Sequence, residues 1–323
     1  MRILGWLLLI PSALAALGMV LLERFPVAHT WHPLLIAAAT FIPLLWLATA
    51  VALVGLTLVL RGWGRLLGVL ALVAALLFWG WDLLPVGQEQ ADPVVEPVEP
   101  GISAFVLNTQ YGRAAIGEVL EVVEARSPDV LVFLEHTSAF DAAVSSSGLR
   151  DSYPHAVGTV REDPGGTMIL SRSPLVEVER AETIFDNIVV ATTVDGVEWT
   201  LAGVHTVPPQ MGAGLWAGDG RLLRGVAERH LDTQFLMLGD FNAIEQHHTM
   251  RLLSDAGMVN SMAGLTGVDA WRPTWPAGGV MPPFARIDHV LHGPGVSASP
   301  PDLIEIEGTD HLGLFVSAGE PSA

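Results

Sequence analysis

The chain of 323 residues contains no cysteine and no lysine. Without cysteine it cannot form disulfide bonds, thiolate zinc sites or cysteine nucleophiles. Its 34 acidic residues outnumber its 16 arginines, and the first hundred residues hold only six of the acids and four of the arginines, which leaves a net charge of −16 for the rest. Because nucleic-acid binding depends on basic side chains at phosphates, we expect no stable nucleic-acid complex from so acidic a region.

The amino-terminal region contains long apolar runs and few charged residues. Three uncharged runs extend from Ile3 to Leu22, from Pro33 to Leu60 and from Leu66 to Trp81. A helix needs about 20 apolar residues to cross a bilayer, so the pattern predicts a membrane anchor of three transmembrane helices within residues 1–86. A signal peptide is the alternative for the first run, although only Met1-Arg2 precedes it and no small-residue cleavage site stands out.

The few basic residues of this region predict its orientation. Arg2 precedes the first run, and Arg61 and Arg65 lie between the second and the third. Basic loops stay on the cytoplasmic side, so three crossings would place the chain after Trp81 outside the cytoplasm, at the plasma membrane. Residues 87–100 are rich in proline and glutamate, which predicts an extended linker before a catalytic domain over 101–323.

The remainder of the chain alternates short apolar runs with amphipathic segments. Apolar residues recur at helical spacing over Ala114–Ala125, and the runs of four to six residues are typical of buried strands. Strands outnumber helices, which favours two packed sheets with helices outside. The predicted strands are Ile102–Leu107, Val130–Leu134, Thr167–Leu170, Ile188–Thr193, Trp199–Val204, Phe235–Leu238, Ile287–Leu291 and Leu312–Val316, and two further helices are predicted over Leu222–Leu231 and Thr249–Ala256.

Polar residues stand where several of these runs end. In the stretch LMLGDFNA, Asp240 and Asn242 follow a buried strand, and the two-residue period of a strand would direct them to the same side. A carboxylate beside a carboxamide supplies both acceptors and donors for a water and a phosphate oxygen. A simple turn is the alternative, because Gly, Asp and Asn are common turn residues. Similar residues border the other runs: Asn108, Glu135, His205, Asp288, Asp310 and His311.

The order of the motifs adds a resemblance. LNTQYGRA, VLVFLEHT, GGTMILSRSPL, LAGVHTVPP, LMLGDFNA, PTWP, RIDHVL and GTDHLGLFV follow one another along the chain. In this respect the chain resembles the endonuclease/exonuclease/phosphatase superfamily over Ile102 to Ser317. The resemblance implies an α/β fold, a four-layer α/β/β/α sandwich, and phosphoester hydrolysis that depends on a divalent metal.

The resemblance also implies a metal site. Asn108, Glu135 and Asp310 match the metal positions of the family, with Glu135 as the principal ligand and Asp310 as a ligand or its neighbour. A hard divalent cation prefers such carboxylate and carboxamide oxygens and stabilises the charge that develops on phosphate. We expect Mg²⁺, with Mn²⁺ or Ca²⁺ as alternatives.

The catalytic positions follow from the same resemblance. Asp240 and Asn242 match the pair that positions the attacking water and the phosphate, and His205 matches a histidine that contacts the phosphate. His311 matches the histidine at the scissile phosphate, and Asp288 matches the carboxylate that orients it. A nearby carboxylate favours the cationic form of a histidine. Asp240 and His311 both remain open as the group that takes the proton of the water.

We therefore expect a membrane-anchored hydrolase of phosphodiester bonds, with a nucleic acid or the headgroup of a lipid or small molecule as substrate. The alternative is a non-catalytic membrane scaffold that retains the fold. Transport is not favoured, because no predicted span carries an ionisable residue in its interior. The arginines at 221, 224 and 229 are expected to lie on a solvated helix face rather than in a binding groove.

Overall fold

The computed structural model describes residues 1–83, 98–265 and 270–321. These residues fall into two compact units, one of residues 1–83, 246–248, 265, 270 and 271, and one of the other described residues. The first strand of the second unit begins at Val98. Residues 84–97, which make up most of the predicted linker, lie outside the described residues.

The first unit is helical. Its helices are α1 (Arg2–Arg24), α2 (Pro33–Ala39), α3 (Leu45–Val59) and α4 (Trp63–Leu83), with short 3-10 helices at Pro26–Trp31 and Ile42–Leu44. Gly5 of α1 and Gly55 of α3 face each other so closely that a Cβ on Gly55 would lie 2.6 Å from the Leu9 nitrogen. Small residues at such a contact let two apolar helices approach backbone to backbone.

Of the three predicted transmembrane helices, two are supported: among the described residues, the segments Arg2–Arg24 and Ile42–Val59 are long and apolar enough to cross a membrane. The second predicted run does not form one helix. It breaks near Pro43, which has no N–H to donate inside a helix, so only the part after Phe41 is long enough. The third run lies within α4 (Trp63–Leu83) and is not one of these two segments.

The second unit contains two mixed β-sheets. The seven strands of the first sheet are β1 (Val98–Asn108), β2 (Val130–Leu134), β3 (His155–Gly158), β4 (Thr167–Ser171), β11 (Ser297–Ala298), β12 (Asp302–Ile304) and β13 (Gly313–Glu320). Their order is β11-β13-β1-β2-β4-β3, with β12 also paired to β13. Only β1 and β2 pair in parallel among them.

The second sheet has six strands. They are β5 (Leu175–Arg180), β6 (Ile188–Val194), β7 (Val197–His205), β8 (Gln234–Asp240), β9 (Val259–Asn260) and β10 (Asp288–His292), in the order β5-β6-β7-β8-β10-β9. The pair β7 and β8 is parallel, and the other pairs are antiparallel.

Helices flank the sheets, which confirms the predicted α/β/β/α class. They are α5 (Ile116–Arg126), α6 (Ser138–Ser146), α7 (Leu149–Ser152), α8 (Ala213–His230) and α9 (His248–Asp255). Every strand and helix predicted for this region is present, with ends shifted by a few residues, except that α8 begins nine residues before the predicted Leu222. Arg224 and Arg229 form surface pairs with Glu228 and Glu179, as expected of a solvated face.

The alternation of side chains along β1 explains why its apolar run is continuous. Ala104 and Val106 pack into the core between the two sheets, whereas Phe105 and Leu107 pack on the other side against the cluster that contains Val119 of α5. A strand buried on both faces needs apolar residues at every position. The second sheet supplies the opposite wall of the core between the sheets through Ile188, Val190, Leu201, Leu236, Leu238 and Val290.

The strand register brings the predicted polar residues to one edge. In the second sheet, His205 at the end of β7 lies opposite Asp240 at the end of β8, and Asp240 lies opposite Asp288 at the start of β10. In the first sheet, Asn108 at the end of β1 lies opposite Leu134, directly before Glu135. In α/β proteins, ligands commonly bind beyond the carboxyl ends of the strands.

Candidate active site

The amide of Asn108 connects two carboxylates at the junction of the sheets. Its Nδ2 donates to Glu135 Oε1 at 3.2 Å and to Asp240 Oδ2 at 3.0 Å. The other oxygen of Glu135 accepts a hydrogen bond from the Tyr111 amide at 2.7 Å. Two predicted metal positions and one predicted catalytic carboxylate therefore lie in one hydrogen-bonded group.

Asp240 and Asn242 form a turn and part of this group together. The Asn242 amide donates to Asp240 Oδ1 at 2.8 Å, which is the pattern by which an aspartate closes a turn on its own backbone. The Asn242 side chain donates to the Thr206 carbonyl at 2.9 Å, and Trp216 Nε1 donates to the Asn242 carbonyl at 3.0 Å. Both sequence interpretations of this stretch are thus present in the same residues.

His311 lies among three carboxylates. Its Nδ1 is 3.0 Å from Asp288 Oδ2, and its Nε2 is 3.8 Å from Asp240 Oδ2 and 3.9 Å from Asp310 Oδ1. Burial alone would lower the pKa of His311, but these carboxylates, Asp288 foremost, raise it to about 10. His311 is therefore a cation at neutral pH with Nε2 directed towards Asp240 and Asp310.

His205 lies on the other side of Asp240 in a different environment. Its Nε2 is 3.7 Å from Asp240 Oδ2 and 4.0 Å from Glu135 Oε1, and its ring packs on Phe185 with centroids 4.7 Å apart. Burial, followed by repulsion from the cationic His311, lowers the pKa of His205 to about 3. His205 is therefore neutral over the whole physiological range of pH.

Two acids of the site, Asp240 and Glu135, are shielded from water. Burial raises the pKa of Asp240 to about 7, with Asp288 adding to the effect and His311 opposing it. Burial also raises the pKa of Glu135, while the hydrogen bonds from Tyr111 and Asn108 oppose the shift. Carboxylates with raised pKa values beside a histidine with a lowered pKa, here His205, are typical of catalytic sites.

Backbone strain is concentrated at two of these residues. Glu135 has φ of 55° and Asn242 has φ of 46°, both in the left-handed region. Asparagine enters this region fairly readily, whereas glutamate there is held at a cost of about 1–3 kcal/mol. The strain directs the Glu135 carboxylate back over the end of β2 towards Asn108.

The donor set fits a hard divalent cation. Asp240, Asp288 and His311 bring ligand atoms within 4.8 Å of one another, so this group could hold a metal ion. A cationic His311 has no lone pair for a metal, however, so the ligands that remain are the carboxylate oxygens around it. Glu135 and Asp240 are crowded carboxylates with raised pKa values, and Asp310 adds to the repulsion on Glu135. A divalent cation that prefers oxygen ligands would relieve this repulsion.

Sequence reasoning missed several residues that support the site. Asn187 brackets the backbone of His205, accepting from its amide at 2.8 Å and donating to its carbonyl at 3.1 Å. Thr309 Oγ1 donates to the Asn108 carbonyl at 2.7 Å and accepts from the His311 amide at 3.2 Å. Trp275 Nε1 donates to Asp310 Oδ2 at 3.0 Å. The PTWP and GTDH motifs contain Trp275 and Thr309, and these motifs were the only signal of their roles.

The family of the chain follows from these residues and their order. The profile of the Endonuclease/Exonuclease/phosphatase family matches residues 106–311. This match covers more than half of the chain and includes every predicted site residue. The chain belongs to the endonuclease/exonuclease/phosphatase family.

Solved structures with the same fold include enzymes that act on DNA. The chain is similar to an endonuclease/exonuclease/phosphatase protein from Beutenbergia cavernae at 17% identity, with a TM-score of 0.52 over 69% of this chain and 72% of that one. It is similar to TDP2 from D. rerio in complex with a single-strand DNA product at 16% identity, with a TM-score of 0.54 over 68% of this chain and all of the other. The 3′ phosphatase NExo from Neisseria, bound to a product DNA hairpin, is 17% identical, with a TM-score of 0.52 over 68% of this chain and all of that one.

No curated protein sequence matches the chain. At these identities the solved structures show the fold of the second unit. The family identifies this unit as a hydrolase of the type that acts on phosphoester bonds.

Proposed function

We propose that this chain is a membrane-anchored, divalent-metal-dependent phosphoesterase that hydrolyses phosphodiester bonds. One observation carries the proposal: the buried pair of Asp288 and cationic His311 faces Asp240, which the Asn108 amide links to the strained Glu135. This arrangement provides a positive group, a carboxylate of neutral pKa and oxygen ligands within one cluster. Each can contribute to phosphodiester hydrolysis: the cation and a bound metal offset negative charge on the phosphate, and the carboxylate can take a proton from water.

The roles of the residues follow from their charges. His311 is already protonated at neutral pH, so it stabilises negative charge on the phosphoryl oxygens and does not take a proton. Asp240, with a pKa of about 7, is then the base that accepts the proton of the attacking water, and Asn242 helps to orient that water. The water oxygen attacks phosphorus in line with the leaving oxygen. Neutral His205 contacts the phosphate from the other side of Asp240.

We place the metal ion at Asn108, Glu135 and Asp310. When bound, Mg²⁺ would neutralise charge on the phosphate oxygens and the leaving oxygen, and Mn²⁺ or Ca²⁺ are alternatives. Glu135 supplies the principal carboxylate. Asp310, which is one-third exposed, can adjust its position on binding, whereas the buried Asp240 cannot.

The surroundings of the site favour a lipid or small phosphodiester over a nucleic acid. An open groove of about 910 Å³ begins at Gln110 and Asp310 and is lined by Glu118, Glu121, Glu305 and Glu307. Its one cationic lining residue, Arg126, is paired with Asp302. A polyanionic strand would be repelled along this groove. TDP2 and NExo bind DNA products in their solved structures, so nuclease activity is the alternative form of this proposal.

The full chain, purified in detergent, is the material for the test. We would assay DNA, RNA, sphingomyelin, phosphatidylinositol phosphates and bis-p-nitrophenyl phosphate with Mg²⁺, Mn²⁺, Ca²⁺ or EDTA. Cleavage that needs metal and is lost in Asp240→Asn, but kept in the surface variant Asp302→Asn, supports the proposal and identifies the substrate class. A folded protein without activity on any of these substrates would favour the scaffold alternative.

The side of the membrane depends on the number of crossings. With an odd number of crossings, such as the three predicted from the sequence, the catalytic unit lies on the opposite side of the membrane from Met1. With two crossings it lies on the same side as Met1. Protease added outside intact cells that express the full chain digests the catalytic unit only in the first case.

A further inference from the structure

A loop beside the candidate site exposes apolar side chains to solvent. The chain carries no charged residue between Arg272 and Arg286. Within this stretch Val280 is 107% exposed and Met281 is 57% exposed, relative to reference residues. We call residues 276–284 the apolar finger. Val280 is the most exposed large apolar side chain among the described residues.

The finger has an ordered base. The amide of Trp275 donates to the Ala285 carbonyl at 2.9 Å, and the amide of Ala285 donates back to the Trp275 carbonyl at 3.0 Å. The Trp275 and Phe284 rings pack with centroids 5.7 Å apart. This backbone pair closes the loop, so the apolar tip is presented outward rather than folded onto the unit.

The base of the finger is bonded to the candidate site. The Ala277 amide donates to the Asp310 carbonyl at 2.7 Å, and Trp275 Nε1 donates to Asp310 Oδ2 at 3.0 Å. Asp310 in turn lies 3.9 Å from His311 Nε2. Whatever surface the tip contacts therefore lies at the rim of the site.

The chemistry of the finger selects among surfaces. Its tip offers aliphatic and thioether groups with no charge, so it has nothing that would bind phosphates of a nucleic acid. Apolar side chains gain free energy when they enter the boundary between headgroups and acyl chains of a bilayer. The same chain carries two segments that are long and apolar enough to cross a membrane, which would keep a bilayer within reach.

The geometry points to the apolar finger as a lipid-contacting element that inserts Val280 and Met281 into a bilayer surface and so holds the candidate site against that surface. This interaction goes beyond phosphoester hydrolysis and does not depend on it. It gives the catalytic unit a membrane contact of its own, separate from the apolar helices. A protein partner is the competing occupant, and the experiment distinguishes the two.

The absence of cysteine makes a direct test available. Val280→Cys in the full chain provides a single thiol for an environment-sensitive fluorophore, and Val176→Cys, at a 63% exposed position of β5, provides the matched control. Both proteins are reconstituted into vesicles of phosphatidylcholine and phosphatidylglycerol that contain doxyl-labelled lipid. We expect a blue shift and several-fold stronger quenching at position 280 than at position 176.

Equal quenching at the two positions would overturn the inference, as would a water-like emission at position 280. Val280→Cys labelled alongside Met281→Asp should show reduced quenching, because the charge opposes insertion of the tip. Hydrolysis of soluble bis-p-nitrophenyl phosphate, measured on the same samples, reports on the phosphoesterase separately. Quenching without hydrolysis would count against the proposed function alone, and hydrolysis without quenching would count against the finger alone.

Discussion

His311 and His205 lie at nearly the same distance from one carboxylate oxygen, and their surroundings give them opposite charges. Their Nε2 atoms are 3.8 Å and 3.7 Å from Asp240 Oδ2. The far side of the His311 ring meets Asp288, and the pKa of His311 is raised to about 10. The ring of His205 meets Phe185 instead, and the pKa of His205 is lowered to about 3.

Asp240 is close to both histidines and cannot account for their different charges. The difference comes from the group on the far side of each ring, which is Asp288 for His311 and Phe185 for His205. Asp288 fixes the His311 ring and stabilises its cationic form. Phe185 gives His205 an apolar surface, which does not stabilise a cation. Once one histidine is cationic, its repulsion also keeps the other neutral. The predictions that follow alter one side of this comparison at a time.

The largest effect is expected from His311→Gln, which removes the cation beside the reacting phosphate. We expect the kcat for bis-p-nitrophenyl phosphate to fall by about 10³-fold, at the upper end of what one group that stabilises developing negative charge contributes. The control is His292→Gln, since His292 is a half-buried histidine of β10 whose ring contacts the Gly293 carbonyl. Equal activity of the two variants would remove His311 from the mechanism.

A smaller loss, about 10²-fold, is expected from Asp288→Asn, because His311 remains but loses the carboxylate that keeps it cationic. The raised pKa of His311 should fall, so the alkaline limb of the pH–rate profile should move to lower pH. The profile from about pH 5 to pH 10 measures this shift directly. A reduced rate with an unmoved alkaline limb would mean that Asp288 only supports the fold.

Many of the strands and site residues could be predicted from the sequence, because the site residues border apolar runs. Strand periods and motif order located β2, β8, Glu135 and Asp240, since strands buried on both faces are continuous in apolar residues. The edge strand β5, with the run LVEVER, was missed because it is mostly exposed and carries too many charges to be recognised as a buried strand.

The protonation of His205 could not be anticipated in the same way. Burial and the cationic His311 lower the pKa of His205, and its buried position is fixed by contacts with Phe185 and with Asn187, directly before β6. Neither residue belongs to a motif around His205. Contacts between residues far apart in sequence carry this information, and a single sequence without its fold does not contain them in readable form.

Trp275→Phe should disturb the His311 side and leave the His205 side intact. The change keeps an aromatic ring but removes the donor to Asp310, so we expect Mg²⁺ to bind about tenfold more weakly, as for other partners of metal ligands. Calorimetric titration of the full chain with Mg²⁺ measures this without activity. The control is Trp199→Phe, a buried indole whose Nε1 has no hydrogen-bond partner among the described residues. Equal affinities in the two variants would contradict the role of Trp275.

The smallest effects, on stability, should have opposite pH dependence for the two histidines. The folded pKa of His311, about 10, lies above the ordinary value, so its stabilisation is fully present below about pH 6.5 and is lost as the pH rises through 10. The folded pKa of His205, about 3, lies below the ordinary value, so keeping it neutral costs stability that grows as the pH falls from about 6.5 towards 3.

His311→Gln should therefore be most destabilising near pH 6 and nearly neutral near pH 10, whereas His205→Gln should improve relative to the original protein as the solution becomes acidic. Each stability difference should change with pH only within the window of its own histidine. Urea unfolding of the full chain in detergent with EDTA, followed by tryptophan fluorescence, measures both series. If the stability differences of the two variants changed with pH in the same direction, the two histidines would not carry different charges in the folded protein. That result would contradict the assignment of a cationic His311 and a neutral His205.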